Sequence, residues 1–91
     1  MNTSQLAERL AERLGLTEKA ARAGLAAAID EIERSLERGE SVTLSGFGRF
    51  ELRERAERLG VHPGTGERSM RPAGRSVGFR AGSELRRRIV P

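Results

Sequence analysis

The hydrophobic period switches near Gly39, from about 3.6 residues before it to two residues in the segments that follow, and that switch restricts the fold more than any other feature. Upstream, Leu6, Leu10 and Leu14 recur every fourth residue with Ala7 and Ala11 beside them, which predicts a helix over about 3–14. Asn2, Thr3 or Ser4 can cap its start, and Gly15 stands where a helix-ending glycine belongs. Thr17 is a good cap for a second helix, because its hydroxyl can accept from a free N–H of the first turn. Leu25, Ile29, Ile32 and Leu36 form that helix's apolar face, five alanines keep its propensity high, and Gly39 ends it. With only Gly15-Leu16 between them, the two helices make an αα-hairpin. Gly24, inside the second helix, marks an expected close approach between helices.

Downstream the alternation is that of strands. Val42 and Leu44 alternate with Thr43 and Ser45; after Gly46-Phe47-Gly48, Phe50 and Leu52 alternate with Arg49, Glu51 and Arg53. This predicts a hairpin with one apolar and one charged face, Phe47 turning inward. Residues 55–75 are polar, with turn chemistry at Gly60-Val61-His62-Pro63-Gly64-Thr65-Gly66, and read either as a disordered loop or as a β-ribbon arm that orders on a partner. Val77 and Phe79 resume the strand pattern, and Ser83 is the expected cap of a short last helix, 84–90.

Ninety-one residues make one domain with a modest core. Three Phe, no Trp and no Tyr supply little aromatic bulk, which favours a second chain completing the core. The absence of cysteine excludes disulfides and thiolate chemistry. No apolar run is long enough to span a bilayer, and charged residues interrupt the first helix where a signal peptide would be apolar, so a soluble cytoplasmic or nucleoid protein is expected.

The net charge of +4 is unevenly placed. Residues 1–40 carry six Lys/Arg and eight Asp/Glu, a net −2, whereas residues 41–91 carry eleven Arg and five Glu, a net +6. Such asymmetry points to a polyanion. Catalysis finds no support: His62 is the lone histidine, no metal-ligand spacing occurs, and Gly64-Thr65-Gly66 is not followed by a helix or a Gly-Lys-Ser/Thr. No enzyme activity, cofactor, metal or small-molecule substrate is expected. In or beside the arm lie Arg53, Arg55, Arg58, Arg68, Arg71, Arg75 and Arg80, whose planar, permanently charged heads suit phosphates and narrow minor grooves. Pro63 offers a rigid apolar wedge at the tip, although an ordinary turn proline is the plainer reading of that residue by itself.

Two N-terminal helices, Gly46-Phe47-Gly48-Arg49-Phe50, Arg55-Ala56-Glu57-Arg58, Gly60, Pro63, Thr65-Gly66, and Phe79-Arg80-Ala81-Gly82 with Leu85 together resemble the HU/integration-host-factor family of bacterial histone-like DNA-bending proteins, over essentially the whole chain. The resemblance implies an α+β intertwined dimer: a helical-hairpin base (1–40), a three-stranded antiparallel sheet with a short C-terminal helix (41–54 and 76–91), and an extended β-ribbon arm (55–75). It implies a dimer core built on Leu25, Ile29, Ile32, Leu36, Phe47, Phe50 and Phe79. It gives Pro63 the role of intercalating wedge, Arg53, Arg55 and Arg58 those of arm contacts, and Arg80 and Arg86 those of flank contacts, with Arg68, Arg71 and Arg75 on the returning strand. The implied partner is double-stranded DNA, with a preference for flexible or distorted sites, bound by a homodimer or by a heterodimer. At the tip the family's Gly-Arg-Asn-Pro is replaced by Gly60-Val61-His62-Pro63, which removes an arginine and implies a weaker grip. The strand after the tip, 67–72, lacks β-branched alternation. Other readings are a site-specific integration-host-factor-like subunit, a dimerisation module that has lost DNA binding, and a helper for structured RNA.

Overall fold

Helix α1 (Thr3–Leu14) begins where the side chain of Asn2 accepts from the Gln5 N–H while Gln5 returns the bond to the Asn2 N–H, a reciprocal capping box. It ends at Gly15, whose φ of 67° is the left-handed conformation that glycine adopts without strain. Helix α2 (Glu18–Glu37) opens at Thr17, whose hydroxyl accepts from the Ala20 N–H at 3.1 Å. The two pack through small side chains: Ala7, Ala11 and Ala21 are buried, and Leu10 and Leu25 flank them. Within the single chain Gly24 is not at a close approach, since a Cβ built there meets nothing within 4 Å. Alanines, not this glycine, set the helix–helix distance.

The computed structural model describes residues 1–91 except for the side chain of Arg71. It divides into two units, Met1–Arg38 and Gly39–Pro91. In the second, β1 (Val42–Leu44), β2 (Gly48–Arg55) and β5 (Gly74–Ala81) form an antiparallel sheet in the order β1-β2-β5. β1 and β2 join through Ser45-Gly46-Phe47, closed by the Phe47 N–H donating to the Leu44 carbonyl at 2.9 Å. The turn needs a positive φ at its third residue, and Gly46 supplies 81°. Register pairs Phe50 with Phe79 and Leu52 with Val77, so these four side chains share one face. Phe79 meets Phe50 and Phe47 in tilted pairs with centroids 5.0 and 5.2 Å apart. Gly48 is buried under the Phe79 ring.

Strands β3 (Arg58–Val61) and β4 (Arg68–Arg71) pair with each other as a separate two-stranded sheet, which settles the arm as a ribbon. Missing β-branched residues do not prevent β4, because the ladder is made by backbone groups. Helix α3 (Ser83–Ile89) follows β5. Its cap position is Gly82, not Ser83; Ser83 is the first helical residue, and no side chain bonds the exposed N–H groups.

Much apolar surface stays open in the single chain. Of the residues assigned to a dimer core, Leu36 is buried and Leu25, Ile32 and Phe50 are half-buried, but Ile29, Phe47 and Phe79 remain 41–46% exposed. Such large side chains belong in cores, so the surface asks for a cover.

Candidate nucleic-acid interface

Strand parity sorts the arginines. Arg49, Glu51, Arg53 and Arg55 of β2 share a face with Arg80, Gly78, Ser76 and Gly74 of β5, opposite the phenylalanines. Arg49 stands directly across from Arg80, a like-charged pair that would repel by itself. Glu51 relieves it. Its carboxylate accepts from Arg80 Nη2 at 3.3 Å and lies 3.8 Å from Arg49 Nε and 3.7 Å from Arg53 Nη2. Arg49 also donates to the Ser41 hydroxyl at 2.9 Å.

Two glycines on β5 make room for the arginines of β2. The Arg53 guanidinium occupies the space a Cβ on Gly78 would need, and Arg55 Nη2 lies 2.7 Å from where a Cβ on Gly74 would stand. Gly78 is buried although it has no side chain, which the overlying Arg53 explains. Arg75 points to the opposite face, paired with Glu54 at 3.9 Å.

The ribbon carries an arginine on each face. Leu59 pairs with Met70 and Val61 with Arg68, so these four share one face while Arg58 lies on the other. Leu59, Val61 and Met70 are 55–57% exposed, giving that face an apolar centre. The contact expected of Arg71 lies outside the described residues. Arg86 is on α3, beside Arg87 and Arg88 in its last turn.

At the tip, the His62 N–H donates to the Glu67 carbonyl and the Gly66 N–H to the His62 carbonyl, both at 2.8 Å. The Gly64 N–H donates to His62 Nδ1 at 3.1 Å, so this imidazole makes the local turn bond that an Asn carbonyl often supplies. Pro63 is exposed within this closed loop. The altered tip residues thus still form an ordered turn.

Sequence reasoning placed Arg49 and Glu51 on the charged face but gave neither a role, and it passed over Gly74 and Gly78. Their roles depend on the β2–β5 register, which local patterning does not encode. Among the described residues, no group of three or more His, Cys, Asp or Glu is placed to hold a metal, and no helix is long and apolar enough to cross a membrane.

A two-helix hairpin, a three-stranded sheet and an arginine-bearing ribbon define a small α+β protein built to meet a polyanion. The family model described as bacterial DNA-binding protein matches residues 1–90, and the chain belongs to that family. Similar relatives include the integration host factor alpha subunits of Proteus mirabilis and of Vibrio cholerae, each 43% identical over 98% of this chain and 91% of its own length. Among solved structures, the Anabaena HU–DNA cocrystal structure superposes with a TM-score of 0.86 at 42% identity, covering 100% of this chain and 99% of that one. A mutant HU from Thermotoga maritima superposes with a TM-score of 0.75 at 24% identity over 99% of this chain and 100% of that one, a likeness of fold.

Proposed function

We infer that the protein is an architectural DNA-binding dimer of the bacterial nucleoid, which holds the minor groove with little sequence preference and bends the duplex through Pro63. One observation carries this reading: a two-stranded ribbon bears Arg58 and Arg68, grows out of a ladder bearing Arg53 and Arg55, and ends in an ordered turn that exposes Pro63. Proteins that bend DNA from the minor groove use such apolar wedges to unstack a base step. DNA as the ligand is supported by membership of a DNA-binding family and by the DNA-bound state of the Anabaena relative. A second chain is supported by the exposed Ile29, Phe47 and Phe79. In this reading the whole chain is one DNA-binding domain. Residues 1–40 serve as the dimerisation base, 41–54 and 76–91 as the sheet and last helix, and 55–75 as the arm. Arg53, Arg55, Arg58, Val61, His62, Pro63, Arg68, Arg71, Arg75, Arg80 and Arg86 meet the DNA.

The test is a gel shift on linear, nicked and four-way-junction DNA at two salt concentrations. The proposal expects retardation of all three, strongest on the distorted forms, which cost less to bend. Failure to shift any of them in dilute buffer would overturn it. Pro63→Ala is expected to reduce the bend angle, read by FRET between duplex ends, more than it reduces affinity; an unchanged angle rules out the wedge. Val61→Arg is expected to tighten binding several-fold at fixed ionic strength by adding a minor-groove cation; no gain in a titration would remove the tip substitution as a cause of weak grip.

A second reading, the site-specific subunit of a heterodimer, is favoured by the integration host factor alpha relatives. Competition between random and candidate-site duplexes separates the two.

A further inference from the structure

We propose that Glu51 is a positioning residue that gathers Arg49, Arg53 and Arg80 into one phosphate-binding platform on the sheet, making Arg49 a further DNA-contacting residue. The proposal rests on the DNA-binding reading above, which already includes Arg53 and Arg80, and adds to them Arg49 as a contact and Glu51 as the group that positions all three.

Glu51 is the least exposed member of the cluster, its side chain 22% exposed against 52% for Arg49, 59% for Arg53 and 75% for Arg80. A partly shielded carboxylate therefore sits at the centre of three solvent-facing guanidinium groups. The ion pairs are long, at 3.3–3.8 Å, and exposed pairs of this kind contribute little to stability. Stability alone does not account for the arrangement. Each guanidinium carries five donors in a planar fork, and the carboxylate engages only part of each. Apart from the Arg49 Nη2 bond to the Ser41 hydroxyl, these exposed guanidinium groups keep donors that phosphate oxygens can take. Glu51 also offsets the repulsion between Arg49 and Arg80, which pair directly across the strands. Three positive charges against one negative leave the platform at +2. Gly78 contributes the flat floor on which Arg53 lies.

Simple charge counting and positioning predict opposite outcomes for Glu51→Gln. The substitution removes a negative charge, so a field effect alone would tighten DNA binding and leave the salt slope at least as steep. Positioning predicts binding about threefold to tenfold weaker, with a log–log salt slope smaller by about one, as when one phosphate contact is lost. It also predicts that Arg80→Gln weakens binding less in the Glu51→Gln background than in the wild type. Gly78→Ala keeps every charge but evicts Arg53, and is expected to weaken binding about threefold.

The wild type and the four variants (Glu51→Gln, Arg80→Gln, the two combined, and Gly78→Ala) are compared on one labelled random-sequence duplex by fluorescence anisotropy, with circular dichroism as the check of folding. Should Glu51→Gln fail to fold, Gly78→Ala decides the matter alone. Affinity equal to or above wild type in the folded Glu51→Gln protein overturns the positioning role; so does unchanged affinity in Gly78→Ala when that variant decides alone. A wild-type protein that ignores the duplex overturns the DNA-binding reading itself.

Discussion

Raising monovalent salt from about 50 to about 200 mM is expected to weaken duplex binding by at least about a hundredfold. Each phosphate neutralised on B-form DNA contributes about 0.9 to the slope of log affinity against log salt, because a condensed counterion is released. Arg53 and Arg55 lie on one face of the β2–β5 ladder and Arg58 on the ribbon beyond it. Two phosphates held per protomer give a slope of about −3.6, and three give about −5.4, which over a fourfold change in salt is about two to three decades. An anisotropy titration at four salt concentrations measures it. A slope near zero would mean that arginine–phosphate contacts do not drive binding, and the role given to the ribbon would fall with them.

The largest effect on stability is expected from Gly48→Ala. A methyl at this position would stand 2.5 Å from Cζ of Phe79 and 2.7 Å from the backbone carbonyl oxygen of Arg80. The ring could move only by leaving Phe50 and Phe47, and the carbonyl belongs to the β2–β5 ladder. Overpacking of this kind costs about 3 kcal/mol at its upper end. For a domain of this size that corresponds to a melting temperature lower by about 12–24 °C. The comparison is made at matched protomer concentration, since association shifts the midpoint. A variant that melts with the wild type would show that the ring yields freely.

The helices were legible because their signals are local. Asn2 and Thr17 cap them through bonds to residues three positions on, and the leucine spacing is read directly. The strands of the larger sheet were legible from period-two alternation around Phe50 and Phe79, whereas their assembly into three antiparallel strands was implied by the family resemblance. The ribbon was half legible: its glycines and proline announced a turn, but Arg68–Arg71 carries no strand pattern and is held by backbone pairing and by the His62–Glu67 and His62–Gly66 bonds at the tip. Gly24 misled because a helical glycine gives no sign of whether anything lies beside it. Ser83 misled by one residue because a short helix fixes its first turn loosely in sequence. The Glu51 cluster was out of reach because Arg80 lies 29 residues away and only strand register brings it there.

The ribbon forms a sheet of its own, and this has an evolutionary consequence. Leu59, Val61 and Met70 are more than half exposed and contribute little to the core, so substitutions there are expected to leave the fold of the body nearly untouched while they change the surface the arm presents. Descendants of one ancestral body can therefore diverge at the arm without a compensating change elsewhere. The Val61-His62 tip lies in such a place, where a changed side chain alters the exposed turn and leaves the packing of the sheet and helices alone.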